Sequence, residues 1–208
     1  MLGLGAVIMR RAQVLEILRG FEPLHLPVGS FRPAAVLAPL RPLPQDPEAL
    51  ELVLTRRTTD LTAHAGQVSF PGGRIDEADG SAELAALREL QEELGVASRD
   101  VEVVGHLDHM LTVTGYHITP VVGLLTAGVA LEPEPREVAR VFAVPLDRLL
   151  DEAGWELLPH HWNGRVFHSW HFPWDGEDVW GATARMLRGF VELLWSRSSA
   201  GVGQPAAE

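Results

Sequence analysis

Apolar residues recur along the chain with changing period, and each change marks an element. "RRAQVLEILRGF" places Val14, Leu15 and Leu18 at helical spacing. "LHLPVGSFRP" breaks that rhythm and predicts an irregular connector. "AAVLAPL", from Ala34, is a continuous apolar run that predicts a buried strand, "PLPQDPEA" predicts a turn, and "LELVLTRR", from Leu50, an alternating strand. A polar loop, "TTDLTAHAGQ", leads to a short strand, "VSF". Ser81 to Leu94 is helical: Asp79 or Ser81 can cap its start and Gly95 suits a left-handed end. Leu84, Leu87, Leu90 and Leu94 fall on one side of this helix and are expected to face the core. "DVEVVGHL" and "HITPVVGLLT" predict further strands. "GVALEPEPREVAR" is a loop carrying Glu132, Glu134 and Glu137, and "VFAVPLDRLLD" a strand turning into a short helix. "WELLPHHW" and "RVFHSWHFPW" form a hairpin around "NG", and "GATARMLRGFVELLWS" is a closing helix. Many strands and few helices predict α/β packing around a mixed sheet, in one domain.

Composition narrows what such a domain can do. The 208 residues suffice for one good-sized domain, and the 46% hydrophobic and 22% charged content is that of a soluble globular chain. There is no Cys, which removes disulfides, thiolate nucleophiles and Cys-based zinc sites. All 17 basic residues are Arg, which excludes lysine Schiff-base chemistry and the P-loop lysine. A net charge of −11 argues against nucleic acid as the main partner. No run is long enough to span a membrane. In "MLGLGAVIM" the arginines follow the apolar residues, the wrong order for a signal peptide, so it reads as an N-terminal extension with Met9 as an alternative start. "SRSSAGVGQPAAE" reads as a disordered tail. The expected division is an extension with a helix over 1–29, a domain over 30–197 and a tail over 198–208. A cytoplasmic location is expected, and a homodimer is left open.

The candidate chemistry lies in "SFPGGRIDEADGSAELAALRELQEELGV". Glu89, Glu92 and Glu93 sit one helical turn apart, with Ala85 and Ala86 one turn back. Like charges at that spacing cost only about 0.2–0.5 kcal/mol per pair, so a solvated acidic face is the ordinary reading of such acids alone. The upstream "FPGG" changes this, because two glycines let the backbone turn sharply and bring a carbonyl close to the carboxylates. One carbonyl and several carboxylates are the hard oxygen donors that Mg²⁺ or Mn²⁺ takes. Arg88 adjoins them and can hold a carboxylate in fixed orientation.

This stretch resembles the Nudix box, G-x5-E-x7-R-E-U-x-E-E-x-G-U with U aliphatic. "RELQEELGV", Arg88 to Val96, matches throughout. The first half departs: Gly73 to Arg88 is 15 positions against 14 in the box, and Gly80, beside Asp79, stands where the box has its first Glu. Upstream, Leu54, Thr55, Arg57, Gly66, Phe70, Pro71, Gly72 and Gly73 are similar to the signature of the coenzyme A pyrophosphatase branch, with departures at Thr58 and Thr62. "TPVVG" and "EVARVFAVPL" look like the same branch, and the resemblance covers roughly residues 30 to 195.

The resemblance implies an α-β-α sandwich around a mixed sheet and a metal-dependent pyrophosphohydrolase. Glu89, Glu92 and Glu93 would be the metal ligands, for Mg²⁺ or Mn²⁺, with the Gly72 carbonyl beside them and Arg88 orienting Glu89. Glu137, or Glu92 within the box, would be the general base. Arg56, Arg57, His64 and Gly73 would contact substrate. The expected substrate is coenzyme A, cut to 3′,5′-ADP and 4′-phosphopantetheine. The rivals are ADP-ribose or another nucleoside diphosphate derivative, and a non-catalytic binding module. His106 with His109, and His168 with His171, are spaced by three in strand or turn segments, which sends the partners to opposite faces and argues against zinc. Trp155, Trp162, Trp170, Trp174 and Trp180 are expected in core and edge packing.

Overall fold

The computed structural model describes residues 9–60, 64–162 and 165–199. The segment before Met9, Thr62, the Asn-Gly pair of the hairpin and the end of the tail lie outside the described residues. The first helix is α1 (Arg11–Arg19). β1 (Arg32–Leu43) and β2 (Asp46–Arg57) both run further than expected, pairing antiparallel up to Leu43 and Asp46. The proline-rich "PLPQDPEA" is therefore mostly strand, with the turn confined to residues 44–45. The register shift between Pro42 and Leu43 accommodates a residue that has no ladder N–H to give. β3 (Val68–Ser69) and β4 (Gly72–Arg74) precede α2 (Ala82–Leu94). β5 (Val101–His106), β6 (Met110–Leu111), β7 (Tyr116–Leu125) and β8 (Val138–Pro145) follow, then the short α3 (Leu146–Leu149). β9 (Glu156–Trp162), β10 (Arg165–Trp174) and β11 (Glu177–Trp180) lead into α4 (Gly181–Ser199).

The main sheet has the path β3-β2-β1-β7-β5, with β4 added to β1, β6 to β7 and β8 to β2. β1 and β7 pair in parallel while the other pairs are antiparallel, so the sheet is mixed. β1 and β7 are covered on both faces, which is why their sequences read as unbroken apolar runs. Ala35, Leu37, Val53 and Val121 face α2, through Ala85, Ala86, Leu90 and Leu94. Leu40, Leu52, Leu54 and Val122 face the opposite way, onto α1, α4 and the small β11-β10-β9 sheet. α1, which the sequence groups with the N-terminal extension, buries Val14, Leu15 and Leu18 in the same cluster as Leu187, Phe190 and Leu194.

α2 is rotated relative to the sequence expectation. Ser81 caps it, its Oγ accepting from Leu84 N–H at 3.1 Å, and Gly95 ends it at φ +70°. Leu90 and Leu94 are buried, but Leu84 is 56% exposed, and Ala85 and Ala86 take its place against the sheet. Alanines let the helix lie close to β1, where large leucines would hold it off. This rotation brings Glu89 and Glu93 toward the sheet and leaves Glu92 exposed.

The connector between α1 and β1 is tied down by its backbone. Leu24 N–H donates to Asp108 Oδ1 at 2.7 Å, and Leu24 C=O accepts from His109 N–H at 3.0 Å. Leu26 N–H faces His109 Nδ1 at 3.4 Å, and Leu26 C=O accepts from His117 Nε2 at 2.9 Å. His109 Nδ1 also lies 3.2 Å from His117 Nε2. His106 instead faces Glu83, and His171 joins His160 and Asp178, so neither spaced histidine pair shares a site. Trp155 is buried and Trp174 donates to Ala143 C=O, while Trp180 is partly exposed. The Trp162 side chain lies outside what is described.

Candidate active site

Three segments converge on the sheet-facing side of α2: the glycine turn at β4, the end of β2 and the loop before β8. β4 pairs with β1 so that Gly73 lies opposite Ala35 and Gly72 opposite Val36. A Cβ at Gly73 would strike the Glu89 carboxylate, and one at Gly72 would meet Ala35 O and Val36 within 2.7 Å. Both glycines are therefore required by close approach, and at Gly73 the side chain in the way is one of the candidate acids.

Arg88 organises the helix side. Its Nη1 donates to Glu89 Oε1 and to Glu92 Oε2, both at 2.9 Å. Nε and Nη2 grip the two oxygens of Asp79 at 2.8 and 3.1 Å, and Nη2 also donates to Arg74 C=O. Asp79 accepts in addition from the Asp76 N–H at 2.7 Å. The residue inserted before the helix is absorbed at Gly80, at φ +72° with open space around it, which leaves Asp79 rather than Gly80 facing the arginine. Arg88 holds the Asp79 carboxyl below the usual carboxylate range, and Asp79 in turn holds Arg88 above its ordinary value. The sequence singled out Asp79 only as a cap; its proximity to the missing box acid was the signal for this role.

Glu93 is the buried member of the set, at 1% exposure, whereas Glu92 is 56% exposed. Arg57 Nη1 donates to Glu93 Oε1 at 3.3 Å. Among the described residues, Glu93 Oε2 and Arg57 Nε are both buried without a hydrogen-bond partner. Burial pushes the Glu93 carboxyl up to about 7, against the pull of Arg57 and of the Gly72 backbone. Burial also raises Glu89, with Arg88 opposing. Glu137 adds to both shifts, so its charge reaches both carboxylates. Glu132 and Glu134 lie in the same loop. Their backbones serve the helix: Glu132 N–H donates to Leu94 C=O at 2.8 Å and Glu134 N–H to Glu93 C=O at 2.9 Å. Glu137 is further fixed by Thr58 N–H on its carbonyl.

Two of the sequence candidates stand apart from this set. Arg56 points to the other face of the sheet, 3.7 Å from Glu177, as alternation along β2 requires. His64 is exposed, at φ +57°, with Nδ1 2.8 Å from Gln67 Oε1. Among the described residues no three His, Asp or Glu side chains converge in coordinating geometry. The donor chemistry still fits a hard divalent cation. Glu89, Glu92 and Glu93 offer carboxylate oxygens on one helix, and an anionic oxygen left unpaired in the interior is costly unless a cation completes it.

The comparisons with known proteins agree with this architecture. The NUDIX domain family matches residues 32–170. A protein of Yersinia pestis (strain Pestoides F), described as an uncharacterized Nudix hydrolase NudL, is 40% identical over 168 residues, covering 78% of this chain and 80% of its own. A Yersinia pseudotuberculosis (serotype O:1b) protein of the same description matches equally well. Among solved structures, a Nudix hydrolase from M. smegmatis, RenU, superposes with a TM-score of 0.52 at 19% identity, over 84% of this chain and 90% of its own. A MutT protein from Methanosarcina mazei Go1 gives 0.51 at 16% identity, over 87% and 99%. These two likenesses are of fold.

Proposed function

The chain belongs to the Nudix hydrolase family, and from that premise we propose that it hydrolyses the diphosphate of coenzyme A and its derivatives, yielding 3′,5′-ADP and 4′-phosphopantetheine, with Mg²⁺ or Mn²⁺. The observation that carries the reading is Arg57. It belongs to the upstream stretch that resembles the coenzyme A pyrophosphatase branch, and its side chain reaches the buried carboxylate of the box helix. The two sequence signatures thus meet in one site.

Glu89, Glu92 and Glu93 would hold the cation, with the Gly72 backbone beside Glu93. The cation supplies charge to the diphosphate oxygens and lowers the cost of attack at phosphorus. Arg88 positions Glu89 and Glu92 and is itself fixed by Asp79. Glu137 is the base: its carboxylate takes the proton of the attacking water as the new P–O bond forms and the bridging P–O bond breaks. Glu92 is the other acid of the set open to solvent and is the alternative base.

Hydrolysis of a panel of coenzyme A, ADP-ribose, NADH and 8-oxo-dGTP, with each metal, tests the substrate. Coenzyme A is expected to give the highest kcat/KM; a preference for ADP-ribose would move the chain to another substrate within the family. Glu93→Gln should lower the rate by roughly two orders of magnitude with the fold retained. Glu137→Gln should lower kcat by about 10²-fold or more and leave the metal dependence unchanged, with Glu132→Gln and Glu134→Gln mild. If all three loop variants stay active, the base lies within the box helix.

A further inference from the structure

Two arginines serve the acidic site, and they are bonded very differently. Arg88 engages three carboxylates and a backbone carbonyl at 2.8–3.1 Å. Among the described residues the Arg57 side chain has one hydrogen bond, to Glu93 Oε1 at 3.3 Å, which is long for a charge-assisted one. Its Nε is buried without a partner, and so is the second oxygen of the carboxylate it faces. A buried ion pair that leaves a donor and an acceptor unused on its two members is poorly satisfied. Arg57 reaches this face by plain alternation along β2, on the side of Val53, and the β2–β8 register shift beside it places the extra residue, Ala139, in β8.

We propose that Arg57 is an exchangeable internal counter-ion. It neutralises Glu93 while the site holds no divalent cation. It gives up Glu93 when a cation neutralises that carboxylate, and turns its guanidinium to the oxygens of the diphosphate. The inference rests on the metal-dependent reading above. The loose, half-used Arg57–Glu93 pair is the one suited to exchange, and the saturated Arg88 is the one suited to stay. The exchange keeps the buried carboxylate compensated in both states. It also makes the phosphate-binding fork available only once the cation is in place, so metal and substrate bind in order.

Mn²⁺ binding without substrate, followed by electron paramagnetic resonance, separates this role from a merely structural one. Removing a competing positive charge should tighten Mn²⁺ binding, by about tenfold in Arg57→Gln for a charge at this distance in a partly screened site. Arg57→Lys keeps the charge and should stay within about threefold of wild type. With Mn²⁺ bound, imidodiphosphate, which resists hydrolysis, should bind about tenfold more weakly to Arg57→Gln than to wild type, the loss expected of one phosphate-binding fork. Unchanged or weaker Mn²⁺ binding in Arg57→Gln overturns the exchange. Should that variant unfold in chelator, its rise in melting temperature on adding Mn²⁺ is the readout: a larger rise than in wild type supports the exchange, and an equal or smaller one overturns it. Glu93→Gln tells this failure from a wider one. If it binds Mn²⁺ as wild type does, the cation is not at Glu93 and the metal-site reading falls with the inference. If it loses Mn²⁺ while Arg57→Gln gains none, only the exchange falls.

Discussion

Glu93 is a carboxylate that burial keeps protonated below about 7 and that Arg57 faces as a counter-ion once it ionises. Its folded value, about 7, lies above the ordinary 4.5, so the folded state binds the extra proton between those values. Its contribution to stability is therefore complete below about 4.5 and is lost as pH rises through about 7, a swing of order 3 kcal/mol at most. Urea melts in chelator should show the protein weakening from pH 5 to 8, and Glu93→Gln should flatten that slope; an unchanged slope would mean Glu93 ionises freely. Gly73 makes a second residue-scale case. Gly73→Ala puts a methyl where the Glu89 carboxylate sits, so the acid must move. A displacement of this size in a catalytic array costs on the order of 10²-fold. The variant should lose kcat while its circular dichroism stays that of wild type. Much at this scale was legible in advance: the spacing of Arg88, Glu89, Glu92 and Glu93 and the need for glycines are both written in the sequence. The partner of Arg57 was not, because alternation along β2 gives the face of the side chain but not which helix residue packs over the strand's end. The grip of Asp79 on Arg88 was not either, because it depends on how the loop absorbs its extra residue at Gly80.

Elements were legible where one period ran unbroken, as in α2, β7 and α4. They were misjudged where packing chose between two apolar faces. Of the four leucines of α2, Leu90 and Leu94 face the sheet as expected, but Ala85 and Ala86 lie beside them where hydrophobicity alone favoured Leu84. "PLPQDPEA" likewise looked like a turn because prolines and acids dominate it, yet neighbouring strands pull all but its middle into the sheet. The connector before β1 was expected to be irregular, and it is, but its attachments were hidden. They give it a pH response. His117 Nε2 must donate to Leu26 C=O, so His109 Nδ1, facing both that group and Leu26 N–H, is the acceptor. A proton on that nitrogen would face the His117 donor, with only the Leu26 backbone favouring it. Burial and the neighbouring His117 and His25 hold His109 below its usual value, so its stabilising effect is present above about 6.5 and is lost as pH falls toward the folded value. Hydrogen exchange of the Leu24 and Leu26 amides should accelerate on acidification to pH 5, and His109→Leu should remove that dependence. Exchange insensitive to pH beyond the intrinsic chemical rate would rule the latch out.

At the scale of the molecule, charge and connectivity matter most. The chain carries −11 overall, and the arginines nearest the acids, Arg57 and Arg88, already contact carboxylates. An anionic substrate therefore approaches against the field, and added salt screens that repulsion. If coenzyme A is the substrate, as proposed, its kcat/KM should rise between about 10 mM and 150 mM salt, whereas a fall would reveal an attractive field at the mouth. α/β packing around a mixed sheet was legible from the order of elements, and the α-β-α arrangement from the resemblance. The pairing of β1 with β7 was not, since parallel partners far apart in sequence leave no local trace. α1 and α4 sit in a single core, although the chain enters with one and leaves with the other. On a ribosome the first of them emerges when Leu187, Phe190 and Leu194 have yet to be made. Val14, Leu15 and Leu18 can then meet β2 and β5 as those strands are made, but a nascent chain stalled before α4 is one that cannot close over its own beginning.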